Sequence, residues 1–142
     1  MIVDTDVCSR VFVKSGDRDV GKQALRDVLA GRTVAISLHT RAELLIWPRW
    51  RNWSENRASA LRRLLVGIPT IPVTDAVVEA FVELTVACRK GGHALAAKTH
   101  VTDRWIAATA IAIDRPLVAV DRIYEGAPGV ALIRAGSAVA GP

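Results

Sequence analysis

Met1-Ile2-Val3-Asp4 opens the chain as a short apolar run ending in a carboxylate. Such a run reads as a buried strand that delivers a charge to the edge of a sheet. In an open α/β sheet the ligand crevice lies outside the carboxyl ends of the strands, so Asp4 stands where function is expected. Three further acids take comparable places: Glu43 after Val34–Ser37, Asp103 at the start of an apolar helix, and Asp121 after Leu117–Val120. Asp103 and Asp121 are separated by about one helix and one strand, which returns both to the same sheet edge. Four acids from four places converge only in a sheet of this kind. The expected class is therefore α/β.

The 142 residues, 51% of them apolar, are enough for one core, and a single domain over 1–142 is expected, with 134–142 a flexible tail. No stretch reaches about 18 consecutive apolar residues, and no basic region precedes a hydrophobic one at the N-terminus. The expectation is a cytoplasmic protein that makes no use of a membrane. Cys8 and Cys88 are far apart and lack histidines at metal spacing, which argues against zinc and for buried thiols.

Along the chain, Thr5-Asp6 can cap a short helix through Val13, and Lys14–Asp17 reads as its stop and the next start. Val20, Ala24, Leu25, Val28 and Leu29 recur at helical spacing between about Asp19 and Ala30, with Gly31 as terminator. Thr33–Ser37 is a β-branched run and a second strand, parallel to the first through a right-handed crossover. Leu38–Leu45 starts a helix that carries Glu43 in an early turn. Ser54 caps a helix to about Val66, with Arg57 where the acid of a capping box would stand. Ile68–Val73 contains Pro69 and Pro72, which confine it to an edge strand. Thr74-Asp75 caps the longest amphipathic helix, with Val78, Phe81, Val82, Val86 and Ala87 on or near one face and Glu79 and Glu83 in solvent. His93–Val101 reads as a loop. Thr102–Ile113 is so rich in Ala and Ile that it packs close against the sheet. Leu117–Val120 and Val130–Ile133 supply the last two strands.

Net charge is +5, and most of it lies between Arg41 and Arg63, where Arg41, Arg49, Arg51, Arg57, Arg62 and Arg63 face only Glu43 and Glu55. Arginine forks onto phosphate and stacks on bases, so the stretch suits a polyanion. Trp47, Trp50 and Trp53 are interleaved at steps of three. On a helix such steps drift by about 60° and form a slanted stripe, although Pro48 is expected to break or begin the helix. Two readings remain open: packing in a core or dimer interface, and stacking on unpaired bases.

Clustered carboxylates repel and raise one another's pKa, a cost that a hard divalent cation removes. Oxygen donors without His or Cys suit Mg²⁺ or Mn²⁺, which activate water and stabilise the charge of phosphodiester cleavage. For Asp103 alone, the bare alternative is that it complements a helix dipole.

Met-Ile-Val-Asp-Thr at the start, Arg-Ala-Glu-Leu-Leu around Glu43, Thr-Asp-Arg-Trp-Ile-Ala-Ala-Thr-Ala at 102–110 and Leu-Val-Ala-Val-Asp at 117–121 together resemble the PIN-domain ribonucleases, specifically the VapC toxins of bacterial toxin–antitoxin pairs. The resemblance runs over nearly the whole chain. It implies a three-layer α/β/α fold around a central parallel sheet and an Mg²⁺- or Mn²⁺-dependent endoribonuclease acting on structured RNA such as tRNA or rRNA, and so inhibiting translation. It also implies a cognate antitoxin partner. A homodimer is expected as well. Asp4, Glu43, Asp103 and Asp121 match the family's acidic positions, as catalytic and metal-holding residues, and Thr5 matches its hydroxyl beside the first acid. RNA contacts are expected from Thr5, Arg41, Arg49, Arg51, Trp47 and Trp50. The chain departs from the family at Ala119, where Ser or Thr is common, and at Ile123-Tyr124, where an Asp-Phe pair is common. A non-catalytic nucleic-acid-binding module would keep the Arg/Trp surface but has no use for four acids. A receiver-like phosphotransferase expects a lysine after the last strand, and no lysine follows Lys98.

Overall fold

Strands of only two or three residues make up the sheet in the computed structural model, which describes residues 1–14 and 20–134. They are β1 (Ile2–Val3), β2 (Ile36–Ser37), β3 (Thr70–Ile71), β4 (Leu117–Ala119) and β5 (Leu132–Arg134). All pairings are parallel. Ile2 is opposite Leu117, Leu117 opposite Leu132, and Ile36 opposite Thr70. A single bridge, Ile2 to Ala35, joins β1 to the chain entering β2, with Val3 N donating to Ala35 O at 3.1 Å. The spatial order is therefore β3-β2-β1-β4-β5. The chain winds outward one way from β1 through β3, then crosses to the other side for β4 and β5, so the order reverses between β1 and β4.

Alternation of side chains along β1 and β4 divides the interior into two cores. Ile2, Leu117 and Ala119 face Leu84, Cys88, Ile106, Ala107 and Ala110 of the helices α5 (Asp75–Lys90) and α6 (Val101–Ala112). Val3 and Val118 face the opposite way. They meet Val7 and Cys8 of α1 (Thr5–Cys8), Leu25 and Leu29 of α2 (Val20–Leu29), Leu44 of α3 (Leu38–Trp50), and Leu61 and Leu65 of α4 (Glu55–Val66). Helices thus cover both faces of a parallel sheet, giving three α/β/α layers. The apolar strands read as continuous runs because both faces are buried. Cys8 and Cys88 are buried free thiols, one in each core.

Several local expectations shift. The cap of α1 is Asp4, whose side chain accepts from Val7 N, and not Thr5-Asp6; a wider turn, Ser9–Val13, carries the chain to Lys14. The stop and start signal at Ser15–Asp17, and Asp19, lie outside the described residues. Pro48 sits inside α3 without ending it. It falls in the last turn, where the missing N–H forfeits one bond to Leu44 O and the helix ends two residues later at Trp50. β3 occupies the edge, as its prolines require. Segment 93–101 is two tight turns, Ala94–Ala96 and Lys98–His100.

On α5 the inward face differs from the one that spacing suggests. Val77, Ala80, Leu84 and Cys88 point inward, whereas Val78, Val82 and Val86 are 41%, 53% and 45% exposed. The helix carries two apolar stripes, and the β-branched one is the outer. Arg134, expected in a tail, closes β5 opposite Ala119 and reaches Glu125 with its guanidinium; residues 135–142 lie outside the described residues. Among the described residues, no helix is long and apolar enough to cross a membrane.

Candidate active site

The reversal of strand order between β1 and β4 leaves a crevice at their carboxyl ends, the usual ligand position in such sheets. Asp4 leaves β1 there and Asp121 follows β4. Glu43 arrives from the second turn of α3, because Ser37 at the end of β2 caps that helix through Thr40 N at 3.0 Å. Asp103 arrives from the first turn of α6. All of them line one open cleft of about 560 Å³, with Thr5, Tyr124 and Trp47 and with the bases Arg10, Lys14 and Arg51. Four acids from four separate segments thus line a single cleft.

Each carboxylate is held by an internal donor. Asp4 Oδ1 accepts from Val7 N at 2.8 Å. Glu43 Oε2 accepts a short hydrogen bond from Thr5 Oγ1, which also lies 3.2 Å from Thr40 Oγ1. Asp121 Oδ1 accepts from Ile123 N at 2.9 Å. Asp103 is held at both oxygens, by His100 Nδ1 at 2.8 Å and by the Tyr124 hydroxyl, which donates at 3.2 Å. Among the described residues no hydrogen bond engages Asp4 Oδ2, Glu43 Oε1 or Asp121 Oδ2. Those oxygens remain available to a ligand.

Electrostatics record the cost of this arrangement. Asp4 is 4% exposed, and burial first, then the charges of Asp6, Asp103 and Asp121, push its carboxyl up to about 7 against the opposing hydrogen bond from Val7. Burial and the neighbouring carboxylates likewise drive the Tyr124 phenol upward, so it stays a neutral donor. Among the described residues no three Asp, Glu, His or Cys side chains stand close enough to share an ion. In kind, however, the residues fit a hard divalent cation, being oxygen donors only, with free oxygens on one cleft.

The basic segment divides. Arg41 donates to Leu65 O at 3.1 Å and Thr70 Oγ1 at 3.3 Å, tying α3 to α4 and β3, and does not line the acid cleft. Trp47 and Trp53 pack against the helical core, under Arg51 at 5.0 Å and Arg57 at 3.7 Å respectively. Only Trp50 of the three is open, at 79% exposure, and with Arg49 it lines a second groove beside Leu45, Ile46 and Arg62. Sequence reasoning missed Thr40, His100 and Tyr124 as contacts of the site. The Ser37-x-x-Thr40-x-x-Glu43 spacing, which stacks three polar side chains along one helix edge after a strand, was a usable signal for Thr40. Tyr124 had none, since its hydroxyl acts through a fold contact.

Comparison with known proteins gives a consistent result. The sequence pattern of the PIN domain matches residues 1–129. Among solved structures, VapBC2 from Rickettsia felis bound to a DNA fragment from its promoter superposes with a TM-score of 0.75 at 22% identity, covering 94% of this chain and 96% of that one. DNA-bound VapBC from Salmonella typhimurium gives 0.74 at 15% identity, with 94% and 96% covered. FitAcB from Neisseria gonorrhoeae gives 0.72 at 21%, with 93% and 95% covered. At these identities the superpositions speak for the fold alone. No curated protein matches the sequence.

Proposed function

The chain belongs to the PIN-domain family, and from that premise we propose that it is an Mg²⁺- or Mn²⁺-dependent endoribonuclease, the toxin of a toxin–antitoxin pair. It hydrolyses a phosphodiester bond in structured RNA, with tRNA or rRNA the substrate class, and thereby stops translation in the cytoplasm. The observation that carries this reading is the convergence of Asp4, Glu43, Asp103 and Asp121, from four separate segments, on one cleft that also carries cations.

Asp4, Glu43, Asp103 and Asp121 would hold the ion. When bound, such an ion supplies Lewis acidity that generates a nucleophilic water near neutral pH and stabilises charge on the phosphorus oxygens. The chain's own groups do the rest. Thr5 donates to Glu43 and fixes one of its oxygens, leaving the other for the site. Tyr124 and His100 orient Asp103. Asp4, buried and held by Val7 N, would present its second carboxylate oxygen to such an ion. Arg49, Arg51 and Trp50 would contact RNA, a reading that their exposure supports, while Arg41 serves the fold. The likeness to toxin–antitoxin complexes supports a cognate antitoxin that covers this open edge, and a homodimer is proposed with it.

RNA incubated with the purified chain should be cut in Mg²⁺ or Mn²⁺ and left intact in chelator. Asp121→Asn, an exposed position whose change spares the core, should abolish cutting with the fold retained. Cleavage that persists in chelator removes the metal mechanism. RNA binding with no cleavage under any metal leaves a non-catalytic binding module. Expression of the chain alone should arrest growth, and normal growth would remove the toxin assignment.

A further inference from the structure

Three cations line the acid cleft, and they are not equivalent. Arg10 is committed to Asp6, one helical turn away, at 3.0 Å. Lys14 and Arg51 share the cleft with five carboxylates, yet among the described residues neither forms an ion pair. For Arg51 a restraint is visible. Its guanidinium carbon lies 5.0 Å over the centre of the Trp47 ring, and that ring is packed into the core beneath it. A guanidinium laid on a ring keeps its N–H donors pointing outward at the edge, poised for a forked contact with a phosphate. Trp47 is half-buried, with Arg51 over its ring and the core packed against it, which leaves less of the ring open than the exposed Trp50 offers.

Resting on the endoribonuclease reading, we infer that Lys14 and Arg51 are the phosphate-binding pair at the mouth of the acid cleft, taking the RNA backbone beside the bond to be cut. Trp47 is a positioning residue for Arg51 and does not contact a base. Base stacking within the segment falls to Trp50, whose ring is open. The arrangement places attraction for the backbone next to a pocket whose own charge repels it, so a strand is retained only where a phosphate can meet these two side chains.

The test is equilibrium binding of a single-stranded RNA oligonucleotide to the full chain in chelator, titrated against salt. Lys14→Ala and Arg51→Ala should each flatten the slope of log affinity against log salt by about 0.7, the value for one phosphate contact on a single strand. Arg115→Ala, exposed and outside the cleft, should leave the slope unchanged. Unchanged slopes in both cleft variants, or no RNA binding at all, overturn the inference. For Trp47, photo-crosslinking of the unaltered protein to RNA carrying 5-bromouridine needs no variant that could misfold. Adducts at Trp50, or at neither ring, fit the assignment; an adduct at Trp47 overturns it. Because chelator suppresses cleavage, the two readings fail separately. Cutting in Mn²⁺ with unchanged slopes sinks only the phosphate pair, whereas flattened slopes without cutting sink only the nuclease.

Discussion

Replacing Asp4 with Asn should make the metal-free protein more stable at alkaline pH, although it removes a proposed catalytic group. An ordinary aspartate titrates near 3.8, and in the folded protein Asp4 titrates near 7. Below about pH 4 the carboxyl is protonated in both folded and unfolded states and contributes nothing to pH dependence. Between about 4 and 7 the folded chain keeps a proton that the unfolded chain releases, so stability falls as pH rises through this window. Above about 7 the full cost is present, roughly 4 kcal/mol as an upper bound from that displacement. Asn keeps a side-chain carbonyl for Val7 N, so the cap of α1 survives. The prediction is a wild-type protein that loses stability relative to Asp4→Asn from pH 5 to pH 8 in chelator, with a gap of up to roughly 10 °C in Tm at pH 8. Mg²⁺ or Mn²⁺ should raise the wild-type Tm at pH 8 and leave the variant nearly unmoved. Thermal melts at stepped pH read both effects. If Asp4→Asn melts no higher than wild type at pH 8 without metal, the buried-acid argument is wrong.

Three further outcomes are expected. Arg104 is buried and donates to Leu95 O at 2.7 Å and Ala97 O at 2.8 Å; its replacement by Ala should cost about 3–5 kcal/mol in urea unfolding, and a loss under about 1 would contradict the pinning role. Tyr124→Phe keeps the buried ring and removes the donor to Asp103, so Mn²⁺ affinity by calorimetry should fall about tenfold or more while the fold persists. Val82→Lys, at 53% exposure on α5, should change the unfolding free energy by less than about 0.5 kcal/mol; a larger loss means that this stripe is covered in solution.

Asp4 and Asp121 each follow an apolar strand and Asp103 opens an apolar helix, so chain connectivity alone brings them to one edge, whereas Glu43 reaches it only through the turn of α3. Strand starts and caps at Ser54, Thr74 and Gly31 were legible for the same local reason. What failed was whatever depends on which of two faces an element presents. On α5 both Val78-Val82-Val86 and Val77-Ala80-Leu84-Cys88 have helical spacing, and only packing against Ile106 and Leu117 selects the second. The tryptophan stripe divides similarly: steps of three suggest a common face, but Trp47 and Trp53 pack against the core, as one of the two open readings has it, and Trp50 turns to solvent. Arg41 carries the same charge as its neighbours, and its role is decided by the Leu65 carbonyl 24 residues away. Pro48 was judged by its intrinsic cost, which the end of α3 makes small.

Strand β1 borders Ala35 on one side and the Leu117–Val118 pair on the other. Strand β1 therefore waits for more than a hundred further residues to be made before its second neighbour exists. Pairings so distant in sequence are slow to close, and their loop entropy is spent before any contact rewards it. Asp4 and Asp121 cannot face one another until that closure, so a nascent or truncated chain ending before residue 117 carries the first acid without a cleft to put it in. For a protein whose proposed activity attacks the machinery making it, the order of synthesis itself postpones that activity until after the last strands emerge.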